Sequence, residues 1–201
     1  SILLKPAPNI ASKMTPLTPG MFVMPTVALI AMGWLYAYCL KKVPESTAFK
    51  RFIGLSLVLA FALNFIWELS HCPLYKACGY EPSHVAFLAL SSLADAIMAA
   101  LLYLGFALVY KDGLWARQLT PIRAFWLMMV GGTGAVLSEK AHLAAGNWVY
   151  TDSMPLIPGI GVGLTPVLQF AVLPLLIYSL SFYLTALKGT PSTHETRPKM
   201  A

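Results

Sequence analysis

The sequence predicts an all-helical transmembrane bundle of about five helices, with its N-terminus outside and its C-terminus in the cytoplasm. Three observations lead there. Of the 201 residues, 58% are hydrophobic and only 11% charged, against roughly 25% charged in a soluble globular domain. The apolar residues fall in blocks about as long as the ~20 residues a helix needs to cross a ~30 Å hydrocarbon layer. The basic residues sit at the ends of those blocks and form no stripe along a helix, so the net charge of +6 reads as a set of topology signals and argues against a nucleic-acid partner.

Residues 1–20 read as an extracytoplasmic segment. They carry Pro and Lys and lack the apolar run of a cleavable signal, which leaves the first span as its own insertion signal. The transmembrane domain covers 21–187, with spans near Met21–Leu40, Phe52–Leu69, Val85–Tyr110, Ile122–Ala145 and Leu164–Leu187. Lys41, Lys42 and Val43-Pro44 close the first, and Lys50-Arg51 open the second. Pro73 stops the second, and Ser83 after Pro82 caps the third by accepting from its free backbone N–H groups. Lys111-Asp112-Gly113 closes the third, Pro121 and Gly146-Asn147 bracket the fourth, and Lys188-Gly189 ends the fifth. Residues 188–201 read as a disordered cytoplasmic tail.

Lys and Arg concentrate in cytoplasmic connections. Lys41, Lys42, Lys50, Arg51, Lys111, Arg117, Arg123, Lys188, Arg197 and Lys199 fall on one side of a five-span chain, against Lys5, Lys13, Lys76 and Lys140 on or toward the other. An even number of spans would break this agreement. The fourth connection, 147–163, is too apolar for a solvated loop and reads as a lid against or dipping into the outer membrane surface, with Trp148 and Tyr150 suited to the headgroup layer.

Three acids lie inside apolar segments: Glu68, Asp95 and Glu139. Each costs at least ~2.5–3.5 kcal/mol to insert, so each needs a partner or a function. Helical spacing puts Asn64, Glu68 and His71 on one face, His84, Ser91 and Asp95 on another, and Ala135, Glu139 and His142 on a third. All three acids fall toward the outer side, so the faces are expected to meet in one wet site. The Gly131-Gly132-Thr133-Gly134 run would permit the close helix approach this needs. Glu68, Asp95 and Glu139 are the catalytic candidates, and Asn64, Trp67, His71, Ser91, His142, Trp148, Tyr150 and Gln169 the candidate substrate-binding residues. Structural hydrogen bonding across helices is the plain alternative.

Glu68-Leu-Ser-His71 and Glu139-Lys-Ala-His142 have the Glu-x-x-His spacing of dinuclear carboxylate sites, with Asp95 as a conceivable bridge. The first and fifth spans lack the further carboxylate such sites use, so a metal held by Glu68, His71, Asp95, Glu139 and His142 is a minor reading and no metal or cofactor is expected. Lys140 points away from Glu139, either snorkelling outward or pairing with a neighbouring acid. Thr165 and Gln169 follow the lid, where ligand contact and core packing are equally open to them. No Cys-x-x-Cys, P-loop or nucleophile elbow is present. Cys72 and Cys78 share an outward, oxidising connection and can close a small loop, although their spacing is permissive without being diagnostic.

At Asn64-Phe-Ile-Trp-Glu-Leu-Ser-His-Cys-Pro-Leu-Tyr75, Asp95, Ser138-Glu139, Trp148-Val-Tyr150, Met154-Pro155 and Gly161-Val-Gly-Leu-Thr-Pro166-Val-Leu-Gln169, the chain resembles a family of small, mostly uncharacterised bacterial polytopic membrane proteins. That resemblance covers roughly residues 55–185. It implies a fold and a place in the bacterial inner membrane, and brings no activity. At Trp67-Glu68 the chain is also similar, over a short motif, to membrane-embedded isoprenoid cyclases and isomerases, whose bundles use intramembrane Asp or Glu as acids.

The function expected is therefore an intramembrane acid–base isomerase or cyclase acting on a polyprenyl, carotenoid or sterol-like lipid. A carboxyl group in a low-dielectric site keeps its proton more readily and can pass it to an alkene or epoxide. Glu139 or Asp95 would be the acid, Glu68 its partner carboxylate, and Trp67 or Trp148 a ring face for a developing cation. Membrane lipids are the expected surroundings, with other membrane subunits or further copies of the chain as partners. The alternatives are an accessory or binding subunit of a larger complex and a small proton-coupled transporter, the latter weakened by the absence of an internal repeat.

Overall fold

In a computed structural model, residues 23–187 are described. The expected extracytoplasmic segment 1–20 and cytoplasmic tail 188–201 lie outside the described residues, and with them Lys5, Lys13, Lys188, Arg197 and Lys199. Five α-helices follow in order: α1 (Val23–Lys42), α2 (Ser46–His71), α3 (Pro82–Tyr110), α4 (Pro121–Ala144) and α5 (Leu164–Leu187). Among the described residues there is no β-strand, only isolated bridges between Tyr75 and Tyr150 and between Leu156 and Gly163. The all-helical class is as expected. Three segments, Ser46–Leu74, Pro82–Tyr110 and Leu164–Ala186, are long and apolar enough to cross a membrane, as an integral membrane protein requires.

Some helix ends differ from those predicted. α2 begins at Ser46 instead of Phe52, because Lys50 and Arg51 are good helix formers and continue the helix outward. α3 begins at Pro82, whose missing N–H would be unpaired at a first helical position anyway. Ser83 therefore lies inside the helix and does not cap it; Glu81 holds the cap position and makes no side-chain cap bond. At α4 the side chain of Thr120 does cap, its Oγ1 accepting from the Arg123 N–H at 3.4 Å.

Helices α2, α3 and α5 form the centre, with α1 packed on α3 and α4 on α5. Their contacts rest on small buried residues, Ala60, Ala96, Ala99 and Ala100, which let backbones approach where lipid supplies no hydrophobic drive between helices. Hydroxyl groups add cross-links: Ser56 Oγ donates to Ser181 Oγ at 2.9 Å and Tyr178 OH to the Ala99 carbonyl at 2.6 Å.

One end of the bundle joins the α1–α2 and α3–α4 connections. Trp115, in a short 3-10 turn (Trp115–Gln118), is fully buried against Tyr103, Phe106, Tyr110 and Tyr178. Its indole N–H reaches the Tyr103 carbonyl at 3.1 Å, and Tyr103 OH reaches the Gly113 carbonyl at 2.8 Å. Arg117 pairs with Glu45 at 2.7 Å, and Arg123 donates to the Trp115 carbonyl at 2.6 Å while lying over the Tyr110 ring. The hydrogen bond and charge of Arg117 hold the Glu45 carboxyl below its ordinary range, so this exposed pair is lost only as pH falls through that lowered value.

The glycine run on α4 acts unevenly. A Cβ at Gly131 would lie 2.1 Å from the Phe170 carbonyl oxygen of α5, one at Gly132 would make ordinary contacts with Ala171 and Val167, and one at Gly134 would meet nothing. Gly131→Ala is expected to lower thermal stability in detergent by about 1–3 kcal/mol, with Gly134→Ala close to neutral. Equal effects would show that α4 does not seat on α5 through Gly131.

Candidate functional site

At the opposite end of the bundle the polar faces meet. α2 contributes Asn64, Trp67, Glu68 and His71, α3 contributes Asp95, α4 contributes Glu139, and α5 contributes Gln169. The amide nitrogen of Gln169 is the hub, 2.9 Å from Asn64 Oδ1, 3.2 Å from Asp95 Oδ2 and 3.3 Å from Glu68 Oε1. An amide has two N–H groups, so it cannot serve all three oxygens at once. Asn64 spends one of its own N–H groups on the Ala60 carbonyl at 2.8 Å, which holds its Oδ1 toward Gln169. Asn64 and Gln169 are buried, whereas Glu68 and Asp95 are partly accessible.

Glu139 is buried and held by the connection that follows its own helix. Its Oε2 accepts from Trp148 Nε1 at 3.3 Å and from Tyr150 OH, and the Tyr150 oxygen in turn accepts from the Gly163 N–H at 3.1 Å. Trp148 and Tyr150 thus turn their polar atoms onto the acid, as a buried carboxylate in need of donors requires, while both rings stay partly exposed. The connection folds over this end as a lid. Lys76 N donates to Val149 O at 2.8 Å and Thr151 N to Leu74 O at 2.9 Å, so the α2–α3 and α4–α5 connections pair edge to edge. Met154 and Val162 are buried beneath the lid, while Val149, Leu156 and Ile160 stay exposed, and its tight turn uses Gly159 and Gly161 at φ +74° and +72°.

His71 and Tyr75 connect the two halves of the site. His71 Nε2 lies 3.5 Å from Glu68 Oε2, and its ring is edge-on to Tyr75 at 5.4 Å; Tyr75 meets Tyr150 at 5.5 Å. Burial pushes the Tyr75 and Tyr150 hydroxyls up, helped at Tyr150 by its hydrogen bond to Glu139, so Tyr150 remains a proton-bearing donor. Spacing does not single out Tyr75, since it lies beyond α2, in extended backbone just after a 3-10 turn (Cys72–Leu74), where no helical face exists. Cys72 and Cys78 flank it and are joined by a disulfide, their Cα atoms 5.5 Å apart.

Other residues named from spacing go elsewhere. His142 stacks on Trp148 at 4.2 Å and meets Asn147 at 2.7 Å, behind Glu139 and not on the acids. Ser91 makes no side-chain hydrogen bond among the described residues, and Lys140 is exposed. His84 leaves the acid cluster for the disulfide: Cys72, Cys78 and His84 are the one trio of possible ligands found within 4.8 Å of one another among the described residues. The five residues of the metal reading do not gather at ligand distance, because Glu139 and His142 face the lid while Glu68 and Asp95 face Gln169. Thr165 donates to the Met154 sulfur at 3.4 Å, which ties α5 to the lid.

Compared with protein-family models, curated proteins and solved structures, the chain matches none of them. The class defined by its fold and site is an all-helical membrane-type bundle with three carboxylates gathered under a lid at one end.

The disulfide is directly checkable. Denatured, unreduced protein is expected to offer one reactive thiol, Cys39, and reduced protein three. Three labelled thiols without reductant would remove the bridge.

Proposed function

We propose that this chain is an intramembrane acid–base catalyst, an isomerase or cyclase of an isoprenoid-like lipid in the bacterial inner membrane. The observation that carries the reading is the Gln169 amide shared by Asn64, Glu68 and Asp95: its two N–H groups face three oxygens, two of them carboxylate, and the Asn64 oxygen at 2.9 Å is nearer than either carboxylate. A carboxyl group bearing its own proton answers that shortage. Asp95, the deepest acid along its helix, is the donor of this proton to an alkene carbon, and Glu68 stands beside it as partner. Glu139, oriented by Trp148 and Tyr150, accepts a proton from a neighbouring carbon, so the double bond moves with no net redox change. The Trp67 ring offers a face to the cation between the two transfers.

All five helices cross the membrane in this reading, with the lid and disulfide outside. It is supported by the basic residues at the other end, where Lys41, Lys42, Lys111, Arg117 and Arg123 lie in or beside the α1–α2 and α3–α4 connections. A reporter fused after Ala201 is expected to be cytoplasmic; a periplasmic signal would sink the five-span arrangement.

The chemistry can be tested without knowing the substrate. Protein in nanodiscs is incubated in D₂O with a bacterial isoprenoid-lipid extract, and carbon-bound deuterium is read by mass spectrometry. The wild type is expected to introduce deuterium, and Asp95→Asn, which keeps an acceptor for Gln169, to lose at least ~100-fold of that rate. Absence of exchange in the wild type, or exchange unchanged by Asp95→Asn, would leave these acids a packing role only.

A further inference from the structure

The site contains donors that no protein group uses. The Trp67 indole N–H and both ring nitrogens of His71 are buried and, among the described residues, have no hydrogen-bond partner. His71 itself is 6% exposed. Buried polar groups are nearly always paired, and an unmade bond there costs the folded protein the desolvation of the group. Whichever tautomer His71 adopts, one ring nitrogen donates and the other accepts. Trp67 and His71 are one helical turn apart on α2, with their rings edge-on at 6.1 Å.

An acceptor short of a donor lies beside them. Glu68 Oε2 is 3.5 Å from His71 Nε2 without hydrogen-bond geometry, and Glu68 Oε1 is one of three oxygens competing for the two N–H groups of Gln169. Glu68 keeps 18% of its side chain accessible, and Trp67 is half-buried, so this corner reaches the surface. We propose that the site takes a lipid bearing a hydroxyl group, whose oxygen accepts from His71 or Trp67 while its O–H donates to Glu68. A hydrocarbon would leave every one of these groups unpaired, and an ether or ketone would satisfy only the donors. The proposal rests on the lipid-site reading above and narrows its substrate class from isoprenoid-like lipids at large to alcohols.

The test compares a C15 prenyl alcohol, its methyl ether and the corresponding hydrocarbon, bound to wild-type protein in nanodiscs with empty discs as the partitioning control. Tryptophan fluorescence reads the binding. The alcohol is expected to bind at least ~10-fold more tightly than the hydrocarbon, with the ether between them. His71→Phe and Trp67→Phe should each narrow that gap. Equal affinities for the three probes, or no binding of any, would overturn the proposal, and this comparison stands even if either variant fails to fold. Failure here is distinguishable from failure of the catalytic reading: deuterium exchange without alcohol preference removes the hydroxyl and keeps the catalyst, whereas alcohol preference without exchange keeps the hydroxyl and makes the chain a binding protein.

Discussion

Holding three carboxylates, Glu139 buried and Glu68 and Asp95 partly accessible, in an apolar bundle is the constraint on which the rest of this structure depends. An apolar surrounding offers an acid little water, so its donors have to come largely from the protein. Gln169 supplies part of what Glu68 and Asp95 need, and Trp148 and Tyr150 supply donors for Glu139. Gln169 reaches α2 and α3 only because small residues bring the three central helices together. Trp148 and Tyr150 reach Glu139 only because the lid is folded back and pinned to the α2–α3 connection. Helix packing and lid closure thus both serve the same electrostatic demand.

The two ends of the bundle solve opposite problems. The basic end carries charges that can remain in water, and it is closed by aromatic packing: Trp115 sits at the centre of a ring cluster in which the polar atoms of Trp115, Tyr103 and Tyr178 end on backbone carbonyls. The acid end cannot be closed that way, because its polar atoms are side chains with more acceptors than the protein's amide donors cover. Cross-linking by Cys72–Cys78 fixes the short segment that carries Tyr75 between His71 and Tyr150. Rigidity at this end therefore comes from a covalent bridge, two backbone hydrogen bonds and the Glu139 contacts, in place of a dense apolar core.

Much of this was legible from the residues alone. The helix count followed from apolar block length, and the meeting of Glu68, Asp95 and Glu139 at one end followed from helical periodicity and the penalty for facing lipid. Periodicity overreached where it assigned whole faces. His84 and His142 share a face with their acids on paper, yet each turns to a nearer partner, the disulfide in one case and Trp148 in the other. Ser83 looked like a cap because it follows Pro82, but the helix starts at the proline itself.

The sequence by itself determined the class of environment and the number of helices, because hydropathy and helical rise are properties of short stretches that need no knowledge of their neighbours. It also marked which acids had to be satisfied. Only the tertiary structure decided who satisfies them: Gln169 is more than 70 residues from Asp95 and more than 100 from Glu68, and nothing local distinguishes it from an ordinary core amide. The same holds for Tyr75 and the inward turn of Trp148 and Tyr150, which depend on two connections pairing across the end of the bundle. Hydrogen-bond partners are fixed by atomic distances between remote segments, and those distances exist only once the helices have packed.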